Sequence, residues 1–145
     1  MENTMFNVLN KQVANWTVLY TKLHNFHWNV KGPHFFTLHA KFEELYNEAS
    51  AHIDALAERV LAIGGKPVGT LSACLNTASI TEAEGNETAE QMVETVARDF
   101  AILVDELKLA IEAAEQADDE ATADMLLEIR SGLEKHIWML NAFLQ

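Results

Sequence analysis

Apolar residues recur at steps of three and four along most of the chain, the spacing that puts side chains on one face of an α-helix. Phe6, Leu9, Val13, Trp16, Leu19, Tyr20, Leu23, Phe26 and Val30 make the first stripe and predict a helix over about 5 to 30. Lys31-Gly32-Pro33-His34 ends it, because glycine suits a left-handed C-cap and proline cannot continue a helix interior. Phe42, Leu45, Ala49, Ile53, Leu56, Val60 and Ile63 predict a second long helix over about 36 to 63, stopped by Gly64-Gly65-Lys66-Pro67.

The segment 68–87 is less regular. Leu71, Cys74, Leu75 and Ile80 predict a short helix there, and the acidic stretch from Thr81 to Asn86 reads as loop. A third long helix is expected over about 88 to 116 on Met92, Val96, Phe100, Val104, Leu107 and Ile111, with Thr88 as a candidate N-cap. Asp118-Asp119-Glu120 opens a fourth, which carries Met125, Leu126, Ile129, Leu133, Ile137, Leu140 and Leu144. The connection between the second and third helices is long enough to cross a bundle instead of returning at once to its neighbour. The expected class is all-α: one domain over 1–145, a ferritin-like four-helix bundle whose long crossover carries a short helix.

Composition narrows the partners. Twenty-two acidic residues against ten basic ones give a formal net charge of −12. That balance disfavours a surface that neutralises many phosphates and suits attraction of cations. Neither end supplies a basic arm: residues 1–5 contain no Lys or Arg, and the sequence closes on Leu144-Gln145. Cys74 is the only cysteine, so an intrachain disulfide and a cysteine-rich zinc module are both excluded, which fits a reducing compartment. Without a secretory pattern or a run of about 18 apolar residues, a cytoplasmic location is expected and membrane spanning is not.

The candidate chemistry lies around the second helix. His27, His39, Asp54 and Glu58 are spaced H-x11-H-x14-D-x3-E, and two imidazoles with two carboxylates suit iron or another divalent metal. The fifteen residues from His39 to Asp54 cover roughly 22 Å of helix, too far to share one ion within a chain. With His39 at zero and about 100° per residue, Glu43, Asp54 and Glu58 fall near 40°, 60° and 100°. Phe42, Leu45, Ala49, Leu56 and Val60 cluster instead at about 240° to 300°. Two copies of this helix packed antiparallel about a two-fold axis near residues 47–49 would bring the His39 end of one to the Asp54 and Glu58 end of the other. The turn at Gly32-Pro33 would bring His27 beside His39. The expectation is two shared metal sites per dimer.

Plainer readings stand beside it. An acidic pair at i, i+4 is ordinarily a solvated helix face, a buried histidine is ordinarily satisfied by a backbone carbonyl, and a polar face can simply specify dimer packing. No Glu is followed three residues later by His, which disfavours a di-iron centre inside one bundle. His24, three residues before His27, reads as structural.

The run His27-Trp28-Asn29-Val30-Lys31-Gly32-Pro33-His34-Phe35-Phe36-Thr37-Leu38-His39 resembles the Dps family of mini-ferritins. So do Phe42-Glu43-Glu44-Leu45-Tyr46, Asp54, Ala57-Glu58-Arg59, Ile63-Gly64-Gly65 and the later Lys135-His136-Ile137-Trp138-Met139. The resemblance implies a hollow shell of twelve subunits, built from two-fold dimers. Such a shell oxidises Fe(II), preferentially with hydrogen peroxide, stores the Fe(III) mineral and protects DNA from oxidative damage. Iron is thus the implied metal, and His27, His39, Asp54 and Glu58 match the family's intersubunit ferroxidase ligands. Glu43 stands where many members carry Asp and is available to a second iron. Trp28 matches the tryptophan beside the centre that intercepts oxidising radicals. Asp118, Asp119, Asp124 and Glu128 resemble the family's three-fold pore region, or else serve ordinary helix N-terminal chemistry. Some members bind DNA through a lysine-rich arm that this sequence lacks. The alternative reading is a nucleoid DNA-binding protein with only incidental metal binding.

Overall fold

A computed structural model describes residues 2–145, with side chains from Thr4 onward. The chain forms α1 (Glu2–Asn29), α2 (Phe35–Ala62), α3 (Leu71–Thr77), α4 (Ala89–Gln116) and α5 (Glu120–Leu144), with no strand among the described residues. The expected boundaries hold to within a residue or two except that α1 starts three residues earlier, at Glu2. Each helix ends where its backbone chemistry requires. Gly32 takes φ +111° in the α1–α2 turn. At the end of α2, Gly64 takes φ +95°, its N–H bonds to Leu61 O (3.0 Å) and that of Gly65 to Val60 O (2.8 Å), a Schellman closure. Gly65 also has no room for a side chain, since a Cβ there would lie 2.7 Å from Phe6 Cδ1. Thr70 caps α3, and Thr88 and Gln91 form a reciprocal capping box at α4.

The four long helices pair as α1 with α2 and α4 with α5, and α1 also packs on α3 and α4. Side-chain contacts fix the directions. Tyr20 and His24 of α1 meet Tyr46 of α2 while His27 meets His39, so the two run antiparallel. Lys22 contacts Asp99, whereas the earlier Asn15 contacts the later Glu106, so α1 and α4 are antiparallel too. It follows that α2 and α4 are parallel. A tight turn cannot join parallel helices of 28 residues, about 42 Å long, and the crossover bearing α3 does so instead.

The apolar stripes meet in one core. Leu9, Trp16, Leu19, Leu23 and Phe26 of α1, Phe42, Leu45 and Leu56 of α2, Phe100, Leu103 and Leu107 of α4 and Leu126 of α5 are essentially fully buried. The most deeply buried charged groups enter the interior as partners. Lys22 and Asp99 form an ion pair at 2.7 Å with side chains 3% and 7% exposed, and Lys22 Nζ also donates to Thr81 O of the crossover at 2.8 Å. Glu106 accepts from Gln12 (3.1 Å), Asn15 (2.7 Å) and the Ser79 hydroxyl. None of the described helices is long and apolar enough to cross a membrane.

Candidate metal centre

His27 and His39 are brought together by the antiparallel α1–α2 hairpin. Their rings stack at a centroid distance of 3.7 Å and 14° between planes. His27 Nδ1–H donates to the carbonyl oxygen of His39 (2.7 Å), and His39 Nδ1–H donates to that of His27 (2.8 Å). A carbonyl only accepts, so each Nδ1 must carry the proton, and in the neutral ring each Nε2 keeps a free lone pair. The bond to the His27 carbonyl is available because α1 stops two residues later and leaves that oxygen without its helical partner. A backbone carbonyl on the far nitrogen is how proteins orient imidazoles that bind metal through the other. Phe35 stacks on the His39 ring at 4.9 Å and Tyr46 meets the His27 ring edge-on at 5.3 Å, which restricts both rings.

Glu43 reaches the same place, with Oε1 3.9 Å from His27 Nε2. Loss of hydration, helped by the charge of Glu43 and by Tyr20, holds the Tyr46 phenol above its ordinary range, so it stays protonated. His24 has the structural role its sequence context suggests. Its Nδ1–H donates to Tyr20 O (2.8 Å) and its ring stacks on Tyr46 at 3.7 Å. Trp28 is 68% exposed and lies 5.3 Å from the His24 ring.

Asp54 and Glu58 lie further along the same unbroken helix, exposed and without an ion-pair partner among the described residues. Arg59, next to Glu58 in sequence, turns instead to Asp119 (2.9 Å) and Thr122 (2.8 Å). The structure therefore joins the two histidines with Glu43 and leaves the two carboxylates apart from them. One chain carries two separated halves of the set, and neither half is closed by its own chain.

The four acidic residues at the start of α5 separate in the same way. Asp118 is exposed in the turn at φ +56°, and Asp124 and Glu128 line an open cleft between α2 and α5. Asp119 is the N-cap. It accepts from the Thr122 N–H (3.0 Å), the Thr122 hydroxyl (2.5 Å) and Arg59. Burial acts to raise its pKa, but the bonds from Thr122 and the Arg59 charge outweigh it, and the carboxyl sits below its ordinary range. A depressed acid stabilises the fold above its unfolded pKa, and that contribution is lost as pH falls through the folded value. Asp119→Ala is expected to cost about 1–2 kcal/mol near neutral pH. In urea titrations at fixed protein concentration, the gap between variant and parent should close as the pH drops below about 4.

Three features were hidden from the sequence. The exchange of carbonyl bonds between His27 and His39 depends on where α1 ends in three dimensions. The Lys22–Asp99 pair joins residues that each look like exposed helix positions. The third is the contact of Glu48 with His136 at 2.8 Å. The Glu44, Glu48, His52 series at four-residue steps was a visible signal for a second polar stripe on α2, but nothing in the spacing pointed to α5.

A four-helix bundle with one long crossover between its second and third long helices defines a ferritin-like protein. In agreement, the model of the ferritin-like domain matches residues 6–145. The chain belongs to the Dps family of that class. It is similar to the DNA protection during starvation protein of Brevibacillus brevis, at 68% identity over 95% of this chain and 93% of that one. The crystal structure of a Dps protein from Bacillus brevis superposes with a TM-score of 0.98 at 65% identity, covering 99% of this chain and 97% of the other. The Dps protein of Vibrio cholerae, described as a member of a broad superfamily of ferritin-like diiron-carboxylate proteins, superposes at 0.95 with 35% identity, covering 99% and 91%.

Proposed function

We propose that this protein oxidises Fe(II) at centres shared between two copies of the chain, with hydrogen peroxide as the preferred oxidant, and stores the Fe(III) mineral inside a hollow shell of twelve chains. Protection of DNA follows from the removal of both reactants. The observation that carries the reading is the half-built site. His27 and His39 are fixed with their Nε2 atoms free and Glu43 beside them, while Asp54 and Glu58 stay exposed and unpaired on the same helix. A two-fold partner laid antiparallel along α2 supplies to each half what it lacks.

The roles follow from the ligand chemistry. Neutral imidazoles and carboxylates suit Fe(II), and the carboxylate charge favours the ferric product. Two Fe(II) each give up one electron, and peroxide takes both electrons with two protons and leaves as two water molecules, so no hydroxyl radical is released. Glu43, whose Oε1 lies 3.9 Å from His27 Nε2, would hold the second iron directly or through water. Trp28, exposed and next to the His24–Tyr46 stack, is an acceptor for oxidising equivalents that escape. The net charge of −12 draws Fe(II) in, with Asp118, Asp124 and Glu128 as free carboxylates on the route, whereas Asp119 is engaged in its cap.

The test is anaerobic Fe(II) titration followed by peroxide addition. Saturable binding is expected, with about two irons oxidised per peroxide consumed. Peroxide consumption that is unchanged by His39→Ala combined with Asp54→Ala would rule the enzyme reading out. The names of relatives keep DNA binding in view as a second reading. A gel shift at low salt separates the two, and the acidic balance of the chain predicts no retardation.

A further inference from the structure

On the other side of α2, Glu44 and Glu48 face His136 of α5, and one ligand atom from each lies within 4.8 Å of the other two. Among the described residues this is the only such group of His, Cys, Asp or Glu within one chain. It is separate from the dimer centre: Glu48 follows His39 by nine residues, about 900° of helical rotation, and so points in the opposite direction.

The imidazole is the unusual member. The His136 side chain is only 12% exposed, its Nε2 lies 2.8 Å from Glu48 Oε2, and its Nδ1 is buried without a hydrogen-bond partner. No protein group competes for that nitrogen, and the ring turns Nε2 toward the two carboxylates. Between Nε2 and Glu48 lies a single proton, in the position a cation would take. Glu44 completes a triangle around that position. Lys41 occupies its Oε2 at 2.7 Å and leaves the second oxygen free. The adjoining cleft, about 630 Å³, is also walled by His52, Asp124 and Glu128.

We propose that Glu44, Glu48 and His136 form a mononuclear site for a first-row divalent cation such as Zn(II). The site is held within one chain, and its remaining coordination positions are open to water. One imidazole and two carboxylates make a borderline donor set that accepts zinc, and an incomplete protein shell keeps it exchangeable.

Zinc binding by the assembled protein, measured by equilibrium dialysis near pH 7, tests this in a His39→Ala/Asp54→Ala background that lacks the shared centre. About one zinc per chain is expected to remain in that background. Adding His136→Gln should weaken it roughly 100-fold, and adding Glu44→Gln, an exposed change that leaves the packing intact, should weaken it at least tenfold. Anomalous scattering at the zinc edge should place the ion between α2 and α5. The proposal is overturned if the background protein binds no zinc. Equal zinc affinity with and without His136→Gln, or loss in His136→Gln without any in Glu44→Gln, overturns it too.

Discussion

Two inactive variants of this protein should restore each other's activity when co-assembled. His27→Ala/His39→Ala removes the imidazole half of every site, and Asp54→Ala/Glu58→Ala removes the carboxylate half. Each homogeneous assembly should oxidise Fe(II) at least about 100-fold more slowly than the parent, since even changes one shell further out typically cost 10–100-fold in metal affinity or activity. In a mixed dimer, one seam site receives both defects and the other receives none. Equal mixing of dissociated subunits makes about half of the dimers mixed, so about a quarter of all sites are intact. Peroxide-driven Fe(II) oxidation should then recover to about 25% of the parent rate. A site built inside one chain would leave every copy defective and recover nothing. The roughly 22 Å between His39 and Asp54 along an unbroken α2 makes the first outcome the expected one.

How much of this was legible beforehand depends on the range over which each residue's neighbours are decided. Helix extents were written in local pattern, because the 3.6-residue period, Gly32, Gly64 and Thr88 each act within a turn of themselves. The opposition between the core face and the His–carboxylate face of α2 was equally local, and Phe42, Leu45, Ala49, Leu56 and Val60 are all buried as the phase required. The pairing of His27 with His39 needed only the hairpin. What the pattern did not reveal were contacts between elements joined by the crossover or by α4. Glu48 and His136 are 88 residues apart and Lys22 and Asp99 are 77 apart. Each of these four reads locally as an ordinary polar helix position. Asp119 shows the same limit. That an acidic residue opening a helix caps it could be read locally, but not that Arg59, sixty residues earlier, would join it there.

That hidden ion pair sets the largest expected effect on stability. Lys22 and Asp99 are both almost completely buried, and Lys22 additionally ties the crossover to α1 through Thr81 O. Lys22→Ala should cost about 3–5 kcal/mol, because it leaves Asp99 buried without a partner, which is worse than losing the pair altogether. Replacing both, as in Lys22→Met with Asp99→Leu, should come within about 1–2 kcal/mol of the parent or exceed it. The pH dependence has a definite sign. Burial already pushes the Asp99 carboxyl up, against the opposing pull of Lys22, and removing Lys22 leaves burial unopposed there except by the more distant Arg98. A carboxyl whose folded pKa lies above its unfolded one favours the folded state below the unfolded value, and that advantage is lost as pH rises through the folded value. The Lys22→Ala deficit should therefore shrink as pH falls from about 7 toward 4; the Asp119→Ala deficit shrinks on acidification too, but only below about 4 and because the parent loses a stabilising charge there, whereas here the variant recovers as Asp99 takes up its proton. Urea unfolding of the two variants side by side at fixed protein concentration measures both slopes. A Lys22→Ala deficit that stays constant or grows on acidification would mean that Asp99 finds another cation or water in place of Lys22. In that case the crossover at Thr81, rather than the buried charge, would be what Lys22 chiefly holds.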